Sequence, residues 1–205
     1  MNSSRTKILK NLTKDRPFKK LIQVEEDKSL NVFKYKEGSL IDIFKTELEA
    51  VDGEVIVCEN KNELNNSLQL FIKENEVENI YTFIPDYLHL FKDNGCNVSK
   101  KFNDKIDVSI TSCEYLSART GTVIVSSKVT GRRINIFAPI HIIIAKKSQL
   151  VKDIDEGIDK LTEKYKYLPS AISYITGPSR TADIEKTLII GAHGPKKLIV
   201  FIENN

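Results

Sequence analysis

The segment GPSRTADIE, residues 177–185, directly follows an apolar stretch of strand length. Gly177 permits a conformation that a Cβ would forbid, and Ser179 or Thr181 can cap a helix that continues to Ile189. Unpaired N–H groups at such a start, at the carboxyl end of a strand, hold anions in α/β proteins. The alternative is a plainly capped helix, because acidic side chains in a first turn favour the helix dipole themselves. The predicted ligand contacts here are Gly177, Pro178, Ser179, Arg180, Thr181 and Asp183.

A second candidate is TSCEYLSARTGT, residues 111–122, in which Cys113 and Glu114 follow one predicted strand and Thr120 precedes the next. A carboxylate at a strand end can act as a nucleophile or base, and a thiol beside a cation can act as a nucleophile. Glu114 is the candidate catalytic residue, with helix capping or surface exposure as the alternative. Cys113 has the alternative role of a small buried hydrophobe. CEYLSART is long enough for two helical turns, and Thr120, Gly121 and Thr122 are predicted to line the ligand pocket.

His193 lies in GAHGP, at the expected carboxyl end of the helix after residue 177. It is either a ligand or proton carrier at the same crevice, or a surface residue where the helix ends. His141 and His89 have no comparable neighbours in sequence, and both are predicted to be structural.

The elements that must position these residues alternate between strand and helix. Strand, helix, strand order predicts parallel crossover units, and therefore an α/β fold with a mixed, mainly parallel sheet flanked by helices. Residues 1–38 are predicted to form an N-terminal arm with a short helix, and residues 39–205 the α/β domain. Helices are predicted over 39–52, around 64–72 and 87–91, and over 148–165; strands over 54–59, 79–84, 106–111, 121–127, 133–138, 141–147, 171–176 and 198–202.

Composition, charge and cysteine spacing exclude several classes of function. The balance of 31 Lys and Arg against 28 Asp and Glu gives a net charge of +3, too slight for a nucleic-acid footprint. No apolar run approaches the roughly 20 residues of a membrane span, and the basic N-terminus lacks the apolar core of a secretory signal, so a cytoplasmic location is expected. Cys58, Cys96 and Cys113 have neither CxxC spacing nor an even count, so no metal site, iron–sulfur centre or disulfide framework is predicted in this chain. No GxGxxG nucleotide motif is present.

Three stretches together resemble one known family: ITSCEYLSARTGTVIVSS, RINIFAPIHIIIAKKSQLV and ISYITGPSRTADIEKTLIIGAHGPKKLIVFI. They are similar to the lactate-utilisation (LUD) domain family, most of all to its LutC subgroup, over about residues 39–203. The resemblance implies a fold similar to the sugar-phosphate isomerase and CoA-transferase (NagB/RpiA-like) superfamily, with ligands at strand carboxyl ends. It also implies association with iron–sulfur partner subunits in the oxidation of L-lactate to pyruvate. Glu114 is the nearest analogue of the glutamate on which the superfamily's transferases carry the acyl group.

These observations favour a non-redox subunit of a lactate-oxidising system, with iron–sulfur clusters expected only in its partners. Its pocket, between Gly177–Thr181 and Thr120–Thr122, is expected to take a small anionic metabolite or a nucleotide-like ligand. Two alternatives stay open: a stand-alone enzyme of the acyl/CoA-transferase or cyclo-ligase type that uses Glu114, and a pure assembly scaffold. The sequence leaves open whether the isolated chain is catalytic.

Overall fold

The computed structural model describes residues 35–101, 105–130, 138–182, 188–191 and 194–204, with residues 4, 6, 7 and 10. The chain divides into two compact units, Met1–Tyr35 and Lys36–Asn205. In the first unit the four described residues before residue 35 are helical. Within the described ranges, no helix is both long and apolar enough to cross a membrane.

The first half of the second unit alternates helices and strands, as the hydrophobic periodicity predicts, and the second half consists mostly of strands. Its helices are α1 (Leu40–Glu49), α2 (Lys61–Glu74), α3 (Pro85–Lys92) and α4 (Ile154–Lys164). Its strands are β1 (Glu54–Cys58), β2 (Asn79–Thr82), β3 (Asn97–Ser99), β4 (Val108–Ser112), β5 (Tyr115–Ser117), β6 (Thr122–Ser126), β7 (Ile140–Lys146), β8 (Leu150–Val151), β9 (Ile172–Ile175), β10 (Arg180–Ala182), β11 (Leu188–Ile190) and β12 (Lys197–Glu203).

Six strands form one parallel sheet in the order β1-β12-β7-β4-β2-β3. Helices α2 and α3 pack their apolar stripes on one face, around Leu68, Ile80 and Phe91. Helix α1 and a second, four-stranded sheet, β8-β5-β6-β9, pack on the other face around Phe44 and Val200. Helix α4 contacts β5, β6 and β8 of the smaller sheet. The predicted α/β class, with a mainly parallel sheet flanked by helices, is confirmed.

The helix predicted to follow Gly177 is wrong. Arg180–Ala182 forms β10, which pairs antiparallel with β11 at Leu188–Ile190. The apolar run TLIIG suits a strand at least as well as a helix, because its β-branched residues fit a pleated ladder. Residues 183–187 and 192–193, which include Asp183 and His193, lie outside the described residues, as do residues 133–137 of the predicted strand 133–138.

Two other predicted helices need correction. The segment after Cys113 is not helical: it forms β5 and then a 3₁₀ turn, Ala118–Thr120, because Tyr115–Ser117 completes a ladder with β6. The helix predicted from residue 148 begins later, because the side chain of Asp153 accepts a hydrogen bond from the Glu156 amide and caps α4. A 3₁₀ turn, Lys147–Gln149, and the short strand β8 precede it.

Candidate functional site

A groove of about 490 Å³ lies where four parallel strands of the main sheet end. Parallel strands present their carboxyl ends at one edge, which is where open α/β sheets hold ligands. The volume falls within the roughly 300–1,000 Å³ of typical ligand pockets. The groove is lined by Lys61, Phe83, Ile84, Pro85, Asp86, Tyr87, Ser112, Val129, Ile144, Ala145, Lys146, Gln149 and Glu203.

The first turns of two helices supply one wall of this groove. Asn60 caps α2 by accepting hydrogen bonds from two backbone amides, and the Thr82 hydroxyl accepts one from the Ile84 amide just before α3. These starts bring Lys61 and Asp86 together as an ion pair, with Nζ and Oδ2 2.5 Å apart. The hydrogen bond with Asp86 raises the pKa of the Lys61 ammonium, and the same bond lowers the pKa of the Asp86 carboxyl.

Gln149 supports the opposite wall. Its Oε1 accepts a hydrogen bond from the Lys146 amide at 2.7 Å, and its Nε2 donates to the carbonyls of Cys113 and Glu114 at 2.6 and 3.1 Å. The backbone pairing between β4 and β7 ends at Ser112. The side-chain amide of Gln149 therefore continues the connection between β4 and β7 beyond their backbone ladder and fixes the edge of the groove.

Both signs of charge line the groove, beside an apolar floor. Lys146 ends β7 and lies in register with Glu203 at the end of β12, and among the described residues no carboxylate forms an ion pair with Lys146. Ile144 and Ala145 supply apolar surface, and Phe83 is 44% exposed. This arrangement can hold an organic ligand whose anionic end meets the Lys146 ammonium and whose apolar part lies along the floor.

Glu114 is buried and fully hydrogen-bonded. Its side chain accepts hydrogen bonds from Ser126 Oγ at 2.5 Å, from Tyr165 OH at 2.9 Å and from Lys164 Nζ at 2.8 Å, while 1% of the residue is exposed. These contacts tie the end of α4 to the turn between β4 and β5. The carboxylate acts here as an anchor, because an incoming substrate atom would have to displace a donor to reach it.

The pKa shifts of Glu114 and Cys113 agree with the buried contacts around them. Burial raises the pKa of the Glu114 carboxyl, but the hydrogen bonds from Lys164, Ser126 and Tyr165 outweigh it and hold the pKa below the usual value. Burial, together with the neighbouring Glu114 charge, raises the pKa of the Cys113 thiol. Cys113 is 3% exposed, so it occupies the place of a small buried hydrophobe, and a raised thiol pKa works against nucleophilic attack.

The predicted ligand residues around 120 and 177 pack against the end of α1. Gly121 has a φ of 57°, and a Cβ there would lie 2.4 Å from the Leu48 amide nitrogen. Gly177 has a φ of 82°, and a Cβ there would lie 2.4 Å from the Val51 carbonyl oxygen. Thus the two glycines allow close packing against helix α1 and the residues that follow it.

The polar groups of the same segments also have partners within the chain. Arg180 forms an ion pair with Asp52, and the Thr122 and Thr176 hydroxyls lie 2.8 Å apart. The Ser179 amide donates to the Pro195 carbonyl at 2.8 Å. Thr120 Oγ1 lies 2.9 Å from Ser117 Oγ, and Pro178 is buried. Thr181 belongs to β10, paired with Ile189.

The structure brings Thr120, Gly121 and Thr122 close to the loop at 176–180 but not to Glu114. Strand β6 starts at Thr122 and ends at Ser126, the residue that donates to Glu114. At about 3.3 Å per residue these two ends lie roughly 13 Å apart. The predicted residues therefore form two clusters, at opposite ends of β6.

Sequence reasoning missed the groove itself. Lys61, Asp86 and Gln149 each follow shortly after a predicted strand, and Lys146 lies near the end of one; that position was the available signal, because parallel strands end at a common edge. Among the described residues, no group of three or more His, Cys, Asp or Glu side chains could hold a metal ion.

Comparisons with known proteins agree with this architecture. A family model for the LUD domain matches residues 41–202. Lactate utilization protein C of Bacillus subtilis (strain 168) is 39% identical over 98 residues, which cover 46% of this chain and 41% of that protein. Lactate utilization protein C of Shouchella clausii is 41% identical over 95 residues, 44% of this chain and 41% of that protein.

The matched part of the chain thus spans less than half the length of these curated relatives. A crystal structure of a DUF162 family protein from Deinococcus radiodurans shares the fold, with a TM-score of 0.62 and 17% identity over 80% of this chain and 96% of that chain. Because the LUD model covers most of the sequence, the chain belongs to the LUD domain family and is a LutC-like member of it.

Proposed function

We propose that this chain takes part in lactate utilisation and that it binds a small anionic ligand in the groove at the carboxyl edge of the main sheet. The observation that carries the ligand proposal is the groove, which is lined by the cationic residue Lys146 together with the apolar residues Ile144 and Ala145. The likeness to proteins named Lactate utilization protein C supports the role.

Within that role, the chain acts as a non-redox subunit in the oxidation of L-lactate to pyruvate. This oxidation releases two electrons and two protons, and we assign the electrons to iron–sulfur clusters in partner subunits. The support is chemical: the three cysteines lie far apart in sequence and carry no cluster spacing. This chain's contribution is to hold an organic anion at the sheet edge.

Ligand-induced thermal stabilisation tests the groove. A ligand at about 100 times its Kd adds about 2.7 kcal/mol to the free energy of unfolding. L-lactate, pyruvate, an adenine nucleotide and coenzyme A form the panel of probes. Lys146→Ala should weaken the binding of the stabilising probe by about 10- to 100-fold, because a charge-assisted hydrogen bond contributes about 1.5–3 kcal/mol.

Arg180→Ala is the matched control, since it removes one exposed cation from the ligand cluster that was predicted from the sequence, near α1. Each variant is compared with its own ligand-free state. Binding weakened by Arg180→Ala and unchanged by Lys146→Ala would favour the ligand site predicted from the sequence over the groove. A panel in which no probe raises the melting temperature would contradict ligand binding altogether.

The lactate role needs a separate experiment. Purified chain is added to, or omitted from, the proposed iron–sulfur partner proteins, and pyruvate formation from L-lactate is measured with an artificial electron acceptor. We expect pyruvate formation to fall when the chain is omitted. Equal rates with and without the chain would contradict the proposed participation.

A further inference from the structure

The two outermost strands of the main sheet, β3 and β1, differ in length and sequence. At one edge, β3 has three residues, NVS. At the other, β1 has five residues, EVIVC, with no cation or proline, and Val57 is 37% exposed. In the described part of the chain no strand pairs with the outer side of β1. Natural sheets usually protect such an edge, because its free backbone groups can pair with another strand.

The hydrogen bonds of β1 show which of its backbone groups face outward. The Asn204 amide donates to the Cys58 carbonyl at 2.8 Å, so Cys58 faces β12. Backbone groups alternate in direction along a strand, and therefore Ile56 also faces β12 while Val55 and Val57 face away from the sheet. The next outward amide, that of Glu59, donates to the Glu63 carboxylate at 2.8 Å. The open edge is thus a window of two residues.

We propose that this window is the pairing site for a second copy of the chain. The sequence Val-Ile-Val is symmetric about Ile56, so two β1 strands can pair antiparallel about a twofold axis at that residue. Val55 of each copy then lies opposite Val57 of the other, and the two residues exchange both N–H···O bonds. β-branched side chains face each other in these pairs, which favours the ladder. The result is an isologous, closed dimer with one continuous twelve-stranded sheet.

Repulsion between the two Glu54 carboxylates favours antiparallel over parallel pairing of the two β1 strands. In the antiparallel register Glu54 lies opposite Cys58, and the two Glu54 side chains are separated by about four residues, roughly 13 Å, which exceeds the Debye length at physiological salt. A parallel pairing of the same strands would place the two Glu54 carboxylates at neighbouring positions, where like charges repel.

The elements beside β1 add to the contact. Helices α1 and α2 both contact β1, from opposite faces of the sheet, since Val55 belongs to the cluster that contains α1 residues and Cys58 to the cluster that contains α2 residues. A twofold axis at Ile56 brings the same helices of both copies next to each other. A stable dimer needs these helix–helix contacts in addition to the strand pairing, because stable interfaces bury roughly 1,200 Å² or more in total.

The test is the mass of the full chain in solution, measured by sedimentation equilibrium over a range of concentrations. The wild-type chain should have the mass of a dimer at high concentration. Val57→Pro should have the mass of a monomer, because proline removes one outward N–H and leaves the ladder with β12 in place. Val98→Pro is the matched control at the opposite edge: Asn97 donates to Glu78, so Val98 faces outward on β3, and this variant should remain dimeric.

Hydrogen exchange provides a second measurement that does not depend on how the proline variant folds. In the wild-type chain the Val55 and Val57 amides should exchange more slowly as concentration rises, while the Val98 amide should not change. A wild-type monomer at every concentration would overturn the proposal. So would a dimer that persists in Val57→Pro, or one in which the Val55 and Val57 amides gain no protection.

Discussion

His141 should make the protein less stable as the pH falls below neutrality. The residue is 0% exposed on β7, its Nε2 lies 2.8 Å from Thr111 Oγ1, and its buried Nδ1 has no hydrogen-bond partner among the residues that the structure describes. Burial lowers the pKa of the imidazole from 6.5 to about 4. Below pH 6.5 the unfolded chain therefore takes up a proton that the folded chain does not, and the free energy of unfolding falls until the pH reaches about 4.

The size of the effect follows from the two pKa values. The full difference between 6.5 and about 4 corresponds to about 3 kcal/mol, and about 2 kcal/mol of it is already lost at pH 5. Carboxyl groups contribute little at that pH. Glu114 and Glu156 have lowered pKa values in the folded state, and each changes stability between pH 7 and 5 by at most about 0.2 kcal/mol.

Urea denaturation at pH 7 and pH 5 measures the effect. His141→Gln removes the titrating group and keeps a partner for Thr111, so this variant should lose much less stability between the two pH values than the wild-type chain. His89→Gln is the matched control, because His89 is exposed, and it should retain the wild-type loss. The reasoning is refuted if the wild-type chain loses less than about 0.5 kcal/mol, or if His141→Gln loses as much as the wild type.

Two further predictions concern stability. Glu114→Ala should lower the free energy of unfolding by about 3 kcal/mol, because it removes a charged acceptor of three hydrogen bonds, one of them from the half-exposed Lys164. Glu114→Gln should lower it by less than half as much, and equal losses in urea denaturation would contradict the anchoring role of the charge. Gly121→Ala should lower it by more than about 2 kcal/mol, because of its positive φ and its contact with α1. Gly95 also has a positive φ, but a Cβ there would meet open space, so Gly95→Ala should lower the free energy of unfolding by only about 1 kcal/mol. A similar loss of stability in Gly121→Ala and Gly95→Ala would rule out the packing contribution at Gly121.

Hydrophobic periodicity predicted five of the six strands of the main sheet and missed β3, whose three residues, NVS, are too few for a periodic pattern. The apolar runs at 54–59, 106–111, 141–147 and 198–202 are too short for buried helices, and each forms a strand of the parallel sheet. Strand order was not predictable in the same way. The last strand, β12, lies between β1 and β7, and that placement depends on long-range pairing which no local pattern encodes.

The candidate site was harder to predict than the fold. A turn-forming segment that begins at Gly177 after an apolar strand predicted a helix capped by Ser179 or Thr181, but the same residues suit a hairpin, and pairing with β11 decides between them. Glu114 was correctly placed after a strand. Its environment depends on Tyr165 and Lys164, about fifty residues away in sequence, whose approach follows from the packing of α4 on the smaller sheet.

The polar groups at the two ends of the main sheet's strands differ in their partners. At the amino edge, backbone groups satisfy one another: the Ser179 amide donates to Pro195, and the Lys196 amide donates to Pro139. At the carboxyl edge, side chains such as Lys146 and Gln149 line an open groove. Substitutions near Ser179 should therefore change the free energy of unfolding, whereas substitution of Lys146 should change ligand affinity with little effect on folding, because its ammonium is exposed and makes no ion pair with a described residue.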